Sequence, residues 1–260
     1  MSIYMKSMFD YIVNLIAVLG EALLFLKQTF VCILQGRIRF REILKQVYEQ
    51  GIQSIVIVAI TSLASGLVLG LQGYVILVRF GAKEFISQLV ALSLVRELSP
   101  VFTALIFSGK AGARITAELG TMNVNDQILA TRTMGVDPIE FLVVPRMLAT
   151  LIVLPVLVVV SELVGIYGGY LVGVFEAHIP SATYINQTLR TIDYVDFFSG
   201  FVKIIFFGFL VGWICCYQGY STRGGSMGVG QHTTKAVAFS YIFVILSNVL
   251  ITKIILTFWG

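Results

Sequence analysis

Three charged residues lie inside long apolar runs of the sequence. Arg96 and Glu97 fall in the run 85–107, and Lys203 falls in the run 197–217. An unpaired charge near the middle of a bilayer costs at least ~2.5–3.5 kcal/mol, so each of these side chains needs a partner or water. Neighbouring residues of an α-helix point about 100° apart, so we expect that Arg96 and Glu97 do not face one cavity. We expect Glu97 to pair with Lys203, and Arg96 to meet another helix or a phosphate.

The composition indicates an integral membrane protein. Hydrophobic residues make up 57% of the 260 residues, and charged residues make up only 12%. A soluble domain carries roughly twice that share of charge. The length fits one bundle of five or six spanning helices and leaves no room for a separate soluble domain. We attribute the net charge of +4 to membrane topology rather than to nucleic-acid binding.

Five apolar segments predict an all-α polytopic membrane protein, because a bilayer core requires about 20 apolar residues per helix. The predicted spans are residues 52–77, 85–107, 141–174, 197–217 and 236–259. A short helix at 181–189 is expected in the external loop 176–195, and Pro145 and Pro155 are possible kinks in the third span. Small residues let two backbones approach in lipid, so regularly spaced glycines predict helix packing. These are Gly66, Gly70, Gly73, Gly165, Gly169 and Gly173.

The N-terminal segment, residues 1–45, differs from the membrane domain, residues 46–260. Its apolar part, 11–34, carries polar residues every seven positions, among them Asn14, Glu21 and Gln28. On a helix they form one narrow polar line, which predicts an amphipathic helix lying in the membrane interface. The alternative is a sixth spanning helix.

A basic cluster follows this helix. Its members are Arg37, Arg39, Arg41 and Lys45. We interpret the cluster either as a topology anchor or as a site that binds anionic lipid headgroups.

Lysine and arginine counts predict the orientation under the positive-inside rule. If the N-terminus is cytoplasmic, twelve of these residues lie on the cytoplasmic side and four on the other side. The four are Arg79, Lys83, Arg190 and Lys253. We therefore expect a cytoplasmic N-terminus and a periplasmic C-terminus.

No constellation typical of an enzyme or a metal site is found. The two histidines are predicted in loops on opposite sides of the membrane, and the three cysteines have no metal-ligand or disulfide spacing, so we expect them to be reduced. The glycine-rich segment 224–230 lacks the Gly-Lys-Ser/Thr ending of a phosphate-binding loop and is predicted to be a flexible connection. We expect no catalytic residue, metal or cofactor in this chain. The residues concerned are His178, His232, Cys32, Cys215 and Cys216.

A polar stretch at 113–138 separates the second and third spans. Its helix-boundary signals are Asn123 or Asn125 as N-cap, Asp126 in the first turn, Gly135 after the last turn and Pro138 as a stop. They bracket a helix at 124–134 of about three turns, roughly 16 Å long and half of what a bilayer core requires. We expect a short cytoplasmic helix that transmits a movement from a soluble partner.

The same stretch resembles the signature loop of the MlaE/YrbE permease family, the membrane subunits of MCE-type ABC lipid transporters. The matching motifs are Glu118-Leu-Gly-Thr-Met122, Asp126-Gln-Ile128 and Arg132-Thr-Met-Gly-Val-Asp-Pro138. Further matches are Gly70-Leu-Gln-Gly-Tyr74, Leu92-Ser-Leu-Val-Arg-Glu-Leu-Ser-Pro100, Gly109-Lys-Ala-Gly-Ala113 and the series Gly165, Gly168, Gly169, Gly173. The likeness covers the chain from about Gln46 to the C-terminus.

The resemblance implies an inner-membrane permease subunit of an ABC transporter. Such a transporter moves phospholipids between the inner and outer membranes and maintains outer-membrane lipid asymmetry. The implied assembly is a homodimer around a central lipid cavity, with a cytoplasmic ATPase, a STAS-domain regulator and a periplasmic MCE-domain hexamer. ATP and Mg are expected in the partner ATPase. No nucleic-acid partner is expected.

The resemblance also implies which residues contact the ATPase. These coupling candidates are Glu118, Gly120, Met122, Asp126, Gln127, Arg132, Met134, Gly135, Asp137 and Pro138. The candidates for the lipid cavity are Arg96, Glu97 and Lys203, together with Leu69, Gly73, Ile76 and Phe80 on one face of the first span.

Two interpretations of the buried charges remain open. They form either a structural ion pair that fixes helix register, or a polar patch that couples headgroup occupancy to opening of the cavity. Two other functions are considered for the chain. An ion-coupled secondary transporter would use Arg96, Glu97 and Glu162, although no convincing internal repeat is found. The other is a membrane scaffold without transport.

Overall fold

The computed structural model describes residue 17 and residues 20–35 and 39–259, and all regular structure in these residues is helical. The helices are α1 (20–34), α2 (Phe40–Arg79), α3 (Ile86–Ser93), α4 (Ser99–Phe107), α5 (Ala113–Val124), α6 (Gln127–Thr133), α7 (Val144–Phe175), α8 (Ser181–Thr191), α9 (Tyr194–Tyr220) and α10 (Gly225–Trp259). The predicted all-α fold is therefore confirmed. Asn14 of the polar line and Arg37 of the basic cluster lie outside the described residues.

Among the residues that the structure describes, five stretches are long and apolar enough to cross a membrane, as predicted from the sequence. They are Phe40–Arg79, Lys83–Val124, Ile139–Phe175, Tyr194–Tyr220 and Gly225–Phe258. The first four run beyond both predicted ends, whereas the fifth begins earlier than predicted, at Gly225, and ends within its predicted bounds. The second stretch combines α3, α4 and α5, which are joined by π-helical turns at Leu94–Leu98 and Ser108–Gly112.

The centre of the bundle is the interface between α2 and α7, where glycines replace larger side chains. A Cβ atom at Gly66 would overlap the carbonyl oxygen of Gly165, and one at Gly168 would lie 2.6 Å from the carbonyl oxygen of Leu63. Ser62 and Ser161 add a hydrogen bond of 2.7 Å across the same interface. The two backbones are in direct contact, so the packing predicted from the glycine spacing is confirmed.

Both prolines of the third span lie within its continuous helical path. Pro145 lies in the first turn of α7, directly after the π-helical turn Ile139–Val143. Pro155 lies inside α7.

The short helix α8 lies after α7 and packs against both α3 and α7. Tyr184 of α8 is almost fully buried, with its ring against Gly173, and this burial raises the pKa of its hydroxyl. Ser87 of α3 donates a hydrogen bond of 2.9 Å to Gln187 of α8. The short helix predicted for the loop after the third span is thus confirmed.

The polar stretch from 113 to 138 folds as two helices, where one at 124–134 was predicted, and its position outside the membrane stays a prediction. Its first half is α5, which continues the second span as an uninterrupted helical path to Val124. Polar side chains do not end the helix because they are satisfied across the bundle. Thr116, for example, donates to the carbonyl oxygens of Gly112 and Cys215 at 3.1 Å and 3.0 Å.

The second half of that stretch contains α6, which is shorter than predicted. It has 7 residues, about two turns, and Asp126 at its N-cap makes no side-chain capping bond. Asn123 does not cap it either, because its amide donates to the carbonyl oxygens of Tyr220 and Thr222 at 3.1 Å and 2.8 Å. The predicted N-caps are therefore wrong.

The C-terminal end of α6 agrees with the sequence prediction. Gly135 has a φ of 80°, the left-handed conformation that glycine adopts without strain. Its N–H donates to the carbonyl oxygen of Arg132 at 3.0 Å, and that of Val136 donates to Thr131 at 3.3 Å. These two bonds form a Schellman motif.

The glycine-rich segment before the fifth span is largely helical rather than a flexible connection. Gly224 and Gly225 have φ angles of 91° and 69° and make the turn between α9 and α10. From Gly225 onward the chain is helical, and the remaining glycines lie in the first two turns of α10. Two glycines at positive φ are sufficient for the turn, so the prediction is corrected.

The N-terminal helix α1 packs by one face on the end of α9. The ring of Phe25 lies 5.7 Å and 5.4 Å from those of Tyr217 and Tyr220. Cys32 lies with its sulfur 3.6 Å from a carboxylate oxygen of Asp137. Burial and that carboxylate raise the pKa of the Cys32 thiol.

Candidate functional site

Lys203 of α9 forms the ion pair predicted from the sequence. Its ammonium lies 2.6 Å from Oε1 of Glu97 and donates to the carbonyl oxygen of Arg96 at 2.8 Å. The Lys203 side chain is 1% exposed, whereas that of Glu97 is 38% exposed. A lysine so deeply buried requires both acceptors, because an unpaired ammonium in an apolar interior is strongly disfavoured.

Glu97 also binds two polar residues of α10 that the sequence analysis did not identify. Asn248 donates to Oε2 at 3.0 Å, and Thr252 donates to Oε1 and Oε2 at 3.1 Å and 3.3 Å. Their spacing of four residues places them on one face of α10. The sequence signal that could have identified them is the occurrence of two polar residues, four positions apart, within an apolar span.

Arg96 pairs with Asp196 of α9 at 2.5 Å. The Asp196 side chain is 5% exposed, while that of Arg96 is 49% exposed. Asp196 also accepts the backbone N–H of Asp193 at 3.2 Å, within a capping box that starts α9. The expectation that Arg96 meets another helix is confirmed, but Asp196 was not identified as its partner.

The two ion pairs border one cavity of about 180 Å³, the charged cavity. Its walls are formed by Arg96, Glu97, Val195, Asp196, Ser199, Lys203, Thr252, Ile255 and Leu256. The prediction that Arg96 and Glu97 cannot face one cavity is therefore wrong. They lie in the π-helical turn Leu94–Leu98, which has more residues per turn than an α-helix and so brings adjacent side chains closer in direction.

The apolar candidates of the first span do not form one cavity wall within the chain. Gly73 is buried against Ile86 and Leu89. Ile76 and Phe80 are 55% and 78% exposed, and Leu69 instead packs against the buried cluster around Ile86. The four residues share a helix face, but α3 covers only part of that face.

Glu162 lies in the interior of α7 and is 6% exposed. A Cβ atom at Gly200 would lie 3.7 Å from its Oε1, so the carboxyl faces α9.

The coupling candidates divide into exposed and internal residues. On α6 and the turn after it, two large apolar side chains point outward: Leu129 is 57% exposed and Met134 is 73% exposed. We call this part of the molecule the short-helix surface. Its exposed members are Asp126, Gln127, Leu129, Arg132, Met134, Gly135 and Asp137.

The remaining coupling candidates are buried or only partly exposed, so they are less accessible to a partner than the short-helix surface, and their contact with the ATPase stays a prediction. A Cβ atom at Gly120 would lie 2.9 Å from Oγ1 of Thr222, and Met122 packs against the main core. Pro138 is buried. Polar sequence in this stretch does not imply exposure, because α5 packs against α9 and α10.

Glu118 belongs to a second group of charges, the inner charge network, which joins α2, α5 and α7. Arg114 contacts Glu118 at 2.7 Å and Glu49 at 2.5 Å. Arg146 contacts Glu118 at 3.2 Å, and Gln50 donates to the carbonyl oxygen of Arg146 at 3.4 Å. α5 and α7, the two helices that flank α6, are thus linked directly.

The described members of the basic cluster, Arg39, Arg41 and Lys45, are exposed at the start of α2. The guanidinium of Arg39 lies 4.7 Å from the centre of the Phe141 ring, a cation–π contact.

Comparison with known proteins connects this architecture to one permease family. A family model described as Permease MlaE matches residues 43–254. A probable ABC transporter permease protein of Rickettsia bellii is 41% identical over 236 residues, covering 91% of each chain. The intermembrane phospholipid transport system permease protein MlaE of Haemophilus influenzae is 36% identical over 252 residues, which are 96% of this chain and 97% of that protein.

A plant protein is also similar. TRIGALACTOSYLDIACYLGLYCEROL 1 of the Arabidopsis thaliana chloroplast is 32% identical over 226 residues, 87% of this chain and 65% of that protein. The family match covers the second, third and fourth membrane-crossing stretches and most of the first and fifth, and it includes both ion pairs of the charged cavity and α6. The chain therefore belongs to the MlaE family of permeases.

Proposed function

We propose that the chain is the permease subunit of an ABC transporter that moves phospholipids between the inner and outer membranes and so maintains outer-membrane lipid asymmetry. The observation that carries this proposal is the charged cavity, which lies between apolar spanning helices of a chain that belongs to a permease family. A phospholipid has both a charged headgroup and apolar chains, so it requires a polar site within apolar walls. The function of the Haemophilus influenzae relative supports the same substrate class.

The charged cavity is the proposed headgroup site. The Arg96 side chain is half exposed, so it can bind a phosphate without a movement of the backbone. Lys203 and Glu97 hold the floor of the cavity, and Asn248 and Thr252 connect it to α10. Occupancy of the cavity would therefore act on the position of α10.

The short-helix surface is the proposed contact with a cytoplasmic ATPase, which would bind the ATP and Mg that power transport. Exposed Leu129 and Met134 supply an apolar centre, and charged Asp126, Arg132 and Asp137 surround it. An apolar centre within a polar rim is the arrangement found in stable protein interfaces. The inner charge network would hold α5 and α7, the helices on either side of α6, in a fixed packing arrangement.

The apolar face of α10 is the proposed interface of a homodimer. Only 6% of the residues in the most apolar 18-residue segment of α10 are buried within the chain. The corresponding shares for the third and fourth spans are 50% and 56%. Exposed residues of this face include Ile242, Ile245, Leu246, Val249 and Leu250. Pairing of α10 with α10 would place the two charged cavities near the dimer axis, around a shared lipid cavity.

The proposed setting is the bacterial inner membrane, with a cytoplasmic N-terminus and a periplasmic C-terminus. Residues 1–45 form an interfacial segment in this proposal, and residues 46–260 form the permease domain. A STAS-domain regulator and a periplasmic MCE-domain hexamer complete the proposed assembly. The lysine and arginine count supports the orientation.

Lipid transfer by the reconstituted complex tests the proposal. We expect Glu97→Gln to lower ATP-driven lipid transfer about tenfold, since it weakens the pair with Lys203. Glu84→Gln is the matched control, because Glu84 is exposed and lies outside the cavity. Normal transfer by well-expressed Glu97→Gln and Lys203→Ala variants would contradict a functional role of the cavity.

Co-purification tests the ATPase contact separately. Met134→Ser should reduce the amount of ATPase that co-purifies with the tagged chain. Met227→Ser is a matched control, because Met227 is 77% exposed against 73% for Met134 and lies in the first turn of α10. Equal recovery of ATPase with both variants would argue against α6 as the contact.

A further inference from the structure

The two ion pairs of the charged cavity differ in how firmly they are held. Glu97 is bound by Lys203, Asn248 and Thr252, so its partners come from two helices. Arg96 has one side-chain partner, Asp196, and 49% of the Arg96 side chain is exposed. The Arg96–Asp196 pair is therefore the ion pair that a ligand can open more easily.

Burial within this pair is strongly asymmetric. The Asp196 side chain is 5% exposed, and within the described part of the chain its Oδ2 accepts one hydrogen bond, from the backbone N–H of Asp193 at 3.2 Å. Arg96 can turn toward a ligand through its long side chain and remain solvated. Asp196 has no such freedom, and a buried carboxylate that loses its cation is costly. Any ligand that takes Arg96 away must bring a replacement cation to Asp196.

We propose that the charged cavity selects zwitterionic phospholipids whose headgroup carries a primary ammonium, as in phosphatidylethanolamine, over anionic phospholipids. The lipid phosphate binds Arg96. The ammonium of the same headgroup then replaces Arg96 as the ion-pair partner of Asp196. This inference rests on the proposed function and names its substrate class.

The charge balance of the cavity supports a zwitterionic ligand. Its four charged residues are two cations, Arg96 and Lys203, and two carboxylates, Glu97 and Asp196, so the walls are neutral as a whole. A phosphatidylglycerol headgroup brings one negative charge and no cation, which leaves Asp196 uncompensated once Arg96 turns to the phosphate. A phosphatidylethanolamine headgroup brings one charge of each sign and leaves every buried charge paired.

Hydrogen bonding and size separate ethanolamine from choline. An ammonium donates up to three hydrogen bonds, whereas a quaternary ammonium donates none. The volume of about 180 Å³ accommodates a headgroup but not the acyl chains, which would lie along apolar Val195, Ile255 and Leu256 at the cavity wall. We expect the affinity of the cavity to be highest for phosphatidylethanolamine, lower for phosphatidylcholine and lowest for phosphatidylglycerol.

A competition measurement tests this inference. The full-length chain, purified and exchanged with vesicles of equimolar phosphatidylethanolamine and phosphatidylglycerol, is washed, and its bound lipids are quantified by mass spectrometry. We expect about tenfold enrichment of phosphatidylethanolamine, the discrimination that one charge-assisted hydrogen bond provides. Equal retention of the two lipids, or enrichment of phosphatidylglycerol, overturns the inference.

The substitution Asp196→Asn tests whether the carboxylate of Asp196 determines the headgroup selectivity. Asparagine keeps a side-chain oxygen for the N–H of Asp193, so the capping box loses little, while the negative charge disappears. We expect the enrichment to fall to about one, with total bound lipid maintained. The matched control Glu84→Gln removes a carboxylate outside the cavity and should keep the wild-type ratio. An Asp196→Asn variant that melts at the wild-type temperature and still prefers phosphatidylethanolamine would refute the role of Asp196.

The failure of this inference and that of the proposed function give different results. Lipid that is retained through Arg96 without headgroup preference refutes selectivity and leaves transport intact. Lipid retention that is unchanged by Arg96→Met refutes the cavity as a headgroup site, and with it both proposals.

Discussion

The molecule contains two groups of charges that are similar in composition but opposite in design. The charged cavity and the inner charge network each combine two basic and two acidic side chains from separate helices. In the network, Arg114 contacts both Glu49 and Glu118, and Glu118 contacts both Arg114 and Arg146, so the charges form a continuous chain. In the cavity, the Arg96–Asp196 and Lys203–Glu97 pairs are separate and border an open space.

The space between the charges distinguishes the two groups. The network surrounds a volume of about 10 Å³, close to the minimum for a single water, whereas the cavity holds about 180 Å³. Closed networks of ion pairs fix how helices pack. Charges that border empty space retain part of their capacity to bind. We infer that the network is structural and that the cavity is the ligand site, and substitutions in each should fail in different ways.

The largest loss of stability is expected for Arg146→Met in the inner network. Arg146 is 7% exposed, and its removal leaves Glu118 with Arg114 alone. Removing one partner of a buried pair costs ~3–5 kcal/mol, which we reduce to about 2–3 kcal/mol because Glu118 is partly exposed. The Tm of the purified protein should fall by roughly 4–10 °C. The exposed Arg41→Met serves as control, and an unchanged Tm for Arg146→Met would contradict a structural network.

Lys203→Met should affect transport more than stability. Glu97 is 38% exposed and keeps Asn248 and Thr252 after the change, so we expect the Tm to fall by less than for Arg146→Met. Lipid transfer by the reconstituted complex should fall about tenfold or more, because one charge-assisted hydrogen bond is lost at the ligand site. A larger Tm loss than Arg146→Met, together with normal transfer, would reverse our assignment of the two groups.

The same chemical change can be made in both groups. Glu49→Gln weakens one contact of Arg114, and because both side chains are about one-quarter to one-third exposed, we expect a stability loss of about 0.5–1 kcal/mol and normal lipid transfer. Glu97→Gln should impair transfer and also lower the Tm, because the buried Lys203 loses its anionic partner and keeps only uncharged oxygen acceptors. Thermal melting and transfer rates of the two variants, measured side by side, check the comparison. Parallel effects of the two substitutions would show that the groups do not differ in function.

The smallest effect is expected for Asn248→Ala at the cavity. One neutral donor to a carboxylate is removed, and Thr252 and Lys203 remain, so lipid transfer should fall by about two- to fivefold. Asn186→Ala, at an exposed position of α8, should leave the transfer rate unchanged. Equal rates for the two variants would indicate that α10 is not tied to the cavity through Glu97.

The sequence predicted those features that depend on a local residue pattern or on the free-energy cost of burying an unpaired charge. Apolar runs located all five spans, glycine spacing located the α2–α7 contact, and Gly135 located the end of α6. The pairing of Glu97 with Lys203 followed from the cost of unpaired charges in an apolar interior.

Features that depend on non-local partners were not predictable. Asp196 stood near the start of the fourth span, where a carboxylate is ordinarily solvated, and only the fold places it beside Arg96. Asn123 resembled an N-cap, but the end of α9 supplies carbonyl oxygens that occupy its amide. The π-helical turn that brings Arg96 and Glu97 to one cavity has no clear sequence signature.

A structure of the intact transporter in a lipid bilayer tests the central claim most directly. The account predicts headgroup density in the charged cavity, with a phosphate within hydrogen-bond distance of Arg96 and no lipid in the inner charge network. A lipid-loaded complex whose charged cavity contains only water, with Arg96 still paired to Asp196, would contradict it.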